Sequence, residues 1–254
     1  MSCTLYKQLK EIIKTFFIPP AEKTLEYLVS TYLPACRDTI GYCDIPTGDK
    51  MYAYLVKSST TQYRLSIKAI HIIGLSETER ILEEMKQQEA KLPIKDFTQD
   101  PQFFKKTPEE VLKAYKDMRK YIKKKIMPEY FGDLKPKFDY KIKPVPKFNE
   151  EFSPTAYYLG PSIDNKRPGV FYVNMRNLHE HPTYNMEVLT LHEGNPGHHY
   201  QISLSQDNEE IPKFRSFDYG LLNSYIEGWG LYCENLGKYK DEYSKMGKYD
   251  YEIM

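Results

Sequence analysis

Prolines at positions 128, 136, 144, 146, 154, 161 and 168 forbid a continuous helix through this stretch of the chain. Each one removes a backbone donor, and inside a helix its ring clashes with the carbonyl four residues back. The segment therefore reads as a long, mostly extended connection, of a length that is usually functional or well packed inside a compact domain. On both sides of it the apolar spacing is helical. Leu5, Leu9, Ile12, Ile13, Phe16 and Phe17 predict a helix over 5–18 that ends at Pro19-Pro20. Ser76 with Glu79 has the form of a capping box, opening a helix through Ile81, Leu82 and Met85. Thr107 with Glu110, and Pro108 at the first helical position, open another whose stripe Val111, Tyr115, Met118, Ile122, Ile126 faces inward. Gly169 to Met175 has the β-branched and aromatic content of a strand, and helix resumes over 183–195 and 221–236. The expected fold class is mainly α (α+β), one domain over 1–254 with a small β element, opened by a helical segment at 1–27.

Several function classes fall away on composition. Aromatics make up 14% of the chain, too many for a disordered one, and no apolar run approaches the roughly 18 residues of a membrane span. The net charge of +1 hides an asymmetry: Lys105 to Lys147 holds 14 Lys or Arg against six Asp or Glu. That run reads as the solvated face of one helix followed by a basic loop. Aromatics are not interleaved with it in a nucleic-acid-binding order, so no nucleic-acid partner is expected. Four cysteines, Cys3, Cys36, Cys43 and Cys233, form no CxxC pair, and the first residues carry no signal-peptide pattern. Reduced thiols and a cytoplasmic location are the expectation.

The chemistry is concentrated near the C-terminal end, where five of the six histidines, His179, His181, His192, His198 and His199, fall within 21 residues. Neutral imidazole beside carboxylate is the donor set of zinc. In the metallopeptidase pattern H-E-x-x-H two histidines one turn apart face one ion, and the Glu acts as general base. Here His192-Glu193 is followed at the fourth position by Pro196, which cannot ligate and must break or bulge the helix. A distortion absorbing two residues returns His198 to the one-turn position; absorbing three does so for His199. His198 asks for the smaller change and is favoured, with His199 kept as the alternative. A third ligand is expected from Glu227, which shares a helix face with Glu234. Gly228 and Gly230 follow Glu227 and suit a close approach to the His192 helix. On spacing alone the same residues also read as a satisfied helix end with an ordinary surface carboxylate. His179 and His181 read as solvent-facing, and Cys233 as a packing residue.

At these residues the chain resembles the domain of unknown function 885 family, zinc-metallopeptidase-like proteins related to the gluzincins. The resemblance rests on Ala156-Tyr157-Tyr158, on Arg167-Pro168-Gly169-Val170-Phe171-Tyr172-Val173-Asn174, on His192 to Gln201, and on Glu227 to Glu234. A weaker likeness extends back to about Leu28. The resemblance implies a helical metallopeptidase-like fold with Zn2+ held by His192, Glu227 and His198 or His199. It also implies that the strand around Val173 lies beside the cleft and pairs with a peptide backbone. Glu193 and His199 are the expected catalytic pair, and Tyr172, Asn174 and Tyr225 the expected contacts to a peptide or peptide-like substrate. Family members are usually longer, so the chain is expected to correspond to part of their length. The reading is a zinc peptidase; its alternative is a catalytically silent relative that binds peptide or protein, or a fragment completed by another polypeptide.

Overall fold

The structure is a computed structural model of the chain and describes residues 3–91, 97–162, 164, 166–217 and 222–236. By contact pattern the chain divides into two compact units, Met1–Tyr54 and Leu55–Met254.

The first unit holds α1 (Cys3–Ile12), α2 (Ile18–Tyr27) and the start of α3 (Gly48–Thr60). The helix expected to stop at Pro19-Pro20 continues past them. A π-helical stretch, Ile13–Phe17, intervenes, and the Ile18 N–H reaches back five residues to the Ile13 carbonyl. The wider turn makes room for the proline rings, which then occupy the first turn of α2, where a missing N–H costs nothing. The same device recurs before Pro34, where the Leu33 N–H bonds the Leu28 carbonyl, and before Pro128, where the Met127 N–H bonds that of Ile122.

In the second unit α4 runs over Ile67–Glu89, ten residues longer at its start than the Ser76 box predicts. Its true N-cap is Ser66, whose hydroxyl accepts from the Ala69 N–H at 3.1 Å. Helix α5 (Pro108–Tyr121) begins where expected, with the Thr107 hydroxyl accepting from the Glu110 N–H, and Val111, Tyr115, Ile122 and Ile126 are buried. The proline-rich connection is more ordered than its composition predicts. It contains the short α6 (Met127–Phe131) and two four-residue strands, β1 (Lys141–Pro144) and β2 (Ala156–Leu159). With β3 (Val170–Val173) they form a sheet of order β1-β3-β2, in which β3 pairs in parallel with β1 and antiparallel with β2. Helices α7 (Thr183–Glu193), α8 (His198–Asp207), α9 (Lys213–Ser216) and α10 (Asn223–Leu236) complete the unit.

Two apolar clusters fix these elements. Phe171 and Val173, on one face of β3, pack with Ile142 and Tyr140 against Val111 and Tyr115 of α5 and Met186 of α7. Leu191 of α7 and Tyr200 of α8 pack on Ile122, Ile126 and Met127, with Trp229 of α10 at the edge. The first cluster sets α7 against the sheet and the second sets the α7–α8 turn against α10. The chemistry lies where they meet.

Candidate metal centre

Pro196 breaks the helix outright. Helix α7 ends at Glu193, the Asn195–Pro196 peptide is cis, and α8 begins at His198. The turn brings the His198 ring to 4.5 Å from that of His192, centroid to centroid, with the planes at 86°. From α10, the indole N–H of Trp229 donates to the Pro196 carbonyl at 2.8 Å and pins the turn. One residue on, Gly230 lies against His192: a Cβ there would sit 2.6 Å from its Cε1. The close approach that this pair of glycines predicts is therefore made at Gly230.

That approach carries two carboxylates to the imidazoles. His192 Nδ1 shares a 2.6 Å hydrogen bond with Glu234 Oε1, which turns Nε2 toward Glu227 Oε2 at 3.4 Å. His198 Nε2 lies 3.8 Å from the other Glu227 oxygen. One ligand atom from each of His192, His198 and Glu227 falls within 4.8 Å of the others. Donor atoms around a tetrahedral ion with bonds of about 2.0–2.1 Å stand roughly 3.3–3.4 Å apart, so small side-chain adjustments close this set on one ion. The donor chemistry, two imidazoles and a carboxylate, suits zinc, and a carboxylate behind the first histidine is the usual support of such a ligand.

The charge state of His198 agrees with that use. Burial and the neighbouring His192 hold His198 neutral, its pKa pushed down to about 4, and a neutral ring is the ligating form. The bond to Glu234 raises His192. Burial pushes the Glu193 carboxyl up to about 7, against the pull of His192 and of a hydrogen bond from the Tyr158 backbone. That bond follows from the sheet. Asn174 donates its N–H to the Thr155 carbonyl, so along β2 the residues bonded to β3 alternate as 155, 157 and 159. The backbone groups of Ala156 and Tyr158 therefore face out from this edge strand, and Tyr158 meets Glu193 there.

Residues 2–254 match the model of a bacterial family of proteins of unknown function, DUF885. The chain belongs to DUF885. Among solved structures it is similar to one described as "the putative lipoprotein from Colwellia psychrerythraea", with a TM-score of 0.85 and 25% identity. The likeness covers 99% of the DUF885 chain and 45% of that relative, so the chain spans under half the relative's length. No curated protein matches it.

Of the residues expected at the site of this DUF885 chain, the structure brings His192, His198 and Glu227 together, with Glu193 adjoining. His199 goes elsewhere. It is 2% exposed, its Nδ1 bonds the Tyr158 hydroxyl at 2.8 Å, and it makes a further hydrogen bond to the Phe138 backbone. Its ring packs on Tyr140, and its bond to Tyr158 ties α8 to β2. Asn174 is likewise spent: its amide donates to the Glu150 and Ser153 carbonyls and accepts from the Arg176 N–H. Tyr172 stacks on Tyr157 at 5.1 Å, on the face of β3 opposite Phe171 and Val173, and Tyr225 is exposed on α10. Strand β3 cannot pair with a peptide, because it has a strand on each side; the open edge beside α7 is β2. His181, expected in solvent, is fully buried, with Nδ1 on the Tyr115 hydroxyl and Nε2 on the Asn174 carbonyl. Cys233 is buried, with its thiol pushed up to about 12 by that burial. Tyr158 and Glu234 carry roles that spacing did not assign, although both lie inside the motifs quoted for the resemblance.

Proposed function

We propose that this DUF885 chain is a zinc-dependent hydrolase of peptide bonds, with Zn2+ held by His192, His198 and Glu227 and with Glu193 as general base. The observation that carries the reading is the convergence of those three donors from α7, α8 and α10, with a buried carboxyl next in sequence to the first. A zinc ion bound there supplies Lewis acidity and acidifies water. Glu193, a buried carboxyl next in sequence to His192, would take a proton from water on a carboxylate oxygen and return it to the leaving amine. Glu234 keeps the Nδ1 proton of His192 and leaves Nε2 free to ligate. Tyr158 orients Glu193 through its backbone N–H. A substrate backbone would add to the edge of β2, where the N–H and C=O of Ala156 face outward.

The alternative of a catalytically silent metal- and peptide-binding protein is favoured by one observation: His199, expected to act beside Glu193, shares a hydrogen bond with the Tyr158 hydroxyl instead. The unpaired Cys36 and Cys43, both exposed, support a reducing compartment, and we retain the cytoplasm as the proposed location.

The test is Glu193→Gln against wild type on a mixed peptide library, with zinc per chain measured on both. Loss of a general base lowers the rate by about 100- to 10,000-fold, with the metal retained. Cleavage that survives in the variant would sink the role of Glu193. Zinc without any cleavage in wild type would select the silent reading.

A further inference from the structure

The basic run that reads as a solvated helix face followed by a basic loop folds onto a helix and a strand. Lys116, Arg119 and Lys120 of α5 and Lys123 in the π-helical stretch after it stand at i, i+3, i+4 and i+7, a single face about 10 Å long. Lys141 and Lys143 alternate with buried Ile142 along β1, so they share the solvent side of that edge strand. The two sets line one groove of ≈ 470 Å³. Asp139 is the single carboxylate in its lining, and it is divided between Arg119 at 2.7 Å and Lys123 at 2.5 Å. Those two bonds hold the Asp139 carboxyl below its usual range despite its burial. Outside the groove Asp117 takes Lys120 and Lys113. Among the described residues Lys116, Lys141 and Lys143 have no ion-pair partner. Six cations, drawn from a helix and a strand about 20 residues apart in sequence, meet Asp139 inside the groove and Asp117 at its rim, which leaves Lys116, Lys141 and Lys143 unpaired and the concave surface net positive.

We propose that this groove binds a compact multivalent phosphate. Its volume lies within the range of small-ligand sites. Five of its six cations are lysines, point charges that suit the many equivalent oxygens of a phosphate better than planar bidentate recognition. No aromatic side chain lines it, so it offers no stacking platform for the bases of a single-stranded nucleic acid. A concave groove also receives a compact ligand better than a flat bilayer. None of its lining residues belongs to the metal cluster, so this binding and the peptidase reading stand or fall separately.

The experiment is calorimetric titration of the full chain with tripolyphosphate at low salt, for wild type and two double variants. Lys141→Gln with Lys143→Gln removes two groove cations; Lys124→Gln with Lys125→Gln removes the same charge from the same basic run outside the groove. All four side chains are exposed, and far-ultraviolet circular dichroism checks that the fold is kept. The expected result is saturable binding, weakened tenfold or more in the 141/143 variant, changed less than twofold in the 124/125 variant, and weakened by added salt. Vesicles bearing a phosphoinositide distinguish the source. Binding with the same lysine dependence, competed by tripolyphosphate, assigns the phosphate to a lipid headgroup; tripolyphosphate binding without vesicle binding assigns it to a soluble ligand. Absence of tripolyphosphate binding, equal losses in both double variants, or capture of single-stranded RNA that tripolyphosphate does not displace would overturn the proposal.

Discussion

Gly230→Ala and Gly228→Ala, two residues apart on one helix, should part company, and the structure sets by how much. A Cβ at Gly228 meets nothing within 4 Å. Alanine there gains helix propensity of up to about 1 kcal/mol, which for a chain of this size raises the melting temperature by roughly 2–4 °C. A Cβ at Gly230 would lie 2.6, 2.7 and 2.9 Å from Cε1, Nε2 and Nδ1 of His192. Ordinary contact needs about 3.5 Å or more, so the ring or the helix must yield by close to 1 Å. The ring has little freedom, being bonded to Glu234 at 2.6 Å and set edge-on to His198. Overpacking of this kind costs about 1–3 kcal/mol, enough to cancel or exceed the propensity gain. It also moves Nε2 away from Glu227, and loss of a ligand's orientation typically weakens metal affinity 10- to 100-fold. The assay is zinc titration with a competing chelator, with thermal melts of the metal-free chains beside it. Gly228→Ala is expected to bind zinc as wild type does and to melt higher; Gly230→Ala is expected to lose at least tenfold in affinity and to gain no stability. Equal zinc affinity in the two variants would refute the argument that α10 is held against His192.

Two further outcomes follow from the same geometry. Glu234→Ala leaves the Nδ1 of His192 without its carboxylate and should lower zinc affinity about 10- to 100-fold, with Glu234→Gln recovering part because an acceptor oxygen remains; a wild-type affinity in the alanine variant would remove Glu234 from the site. Burial lowers His199 from 6.5 to about 4, so the unfolded chain binds its proton more readily, and the stability this group contributes is full above about pH 6.5 and lost as the pH falls toward 4. The size is about 3 kcal/mol at about 1.36 kcal/mol per unit. Glu193, raised to about 7, acts with the opposite sign, its contribution falling as the pH rises from 4.5 to 7, and masks the slope in wild type alone. The measurable quantity is the difference between wild type and His199→Gln in urea unfolding of metal-free protein: it should shrink steadily from pH 7 to pH 4, and a difference independent of pH would show that His199 is not held neutral in the fold.

What the sequence discloses depends on how local each signal is. The Thr107 cap, the inward stripe of α5 and the strand at Val170–Val173 were legible because a few consecutive residues carry the pattern, and the structure places them as expected. Strands β1 and β2 were not legible, because four residues give no period to count and their pairing with β3 is a long-range event. The start of α4 was misplaced for the opposite reason: Ser76 and Glu79 form a good local box, but Ser66 caps the helix and the chain stays helical through Gly74. The helix expected to end at Pro19 shows the limit of the proline rule, since a π-turn removes the clash that the rule assumes.

The candidate site tests the same logic at its hardest point. Pro196 occupies the fourth position of the expected motif, and reading it as a defect makes the metal site doubtful. The structure gives it a positive role, because the broken helix restarts at His198 with that ring 4.5 Å from His192. The indole of Trp229 then holds the broken turn through the Pro196 carbonyl. The break, the tryptophan and Gly230 form one arrangement: the first brings the second imidazole round, the others hold α10 where Glu227 and Glu234 can meet both rings. Counting the residues that a break absorbs favours His198 over His199, and it is the His198 ring that lies beside His192. Learning what His199 does instead required the sheet, since its partner Tyr158 lies 41 residues earlier on a strand that the sequence did not reveal.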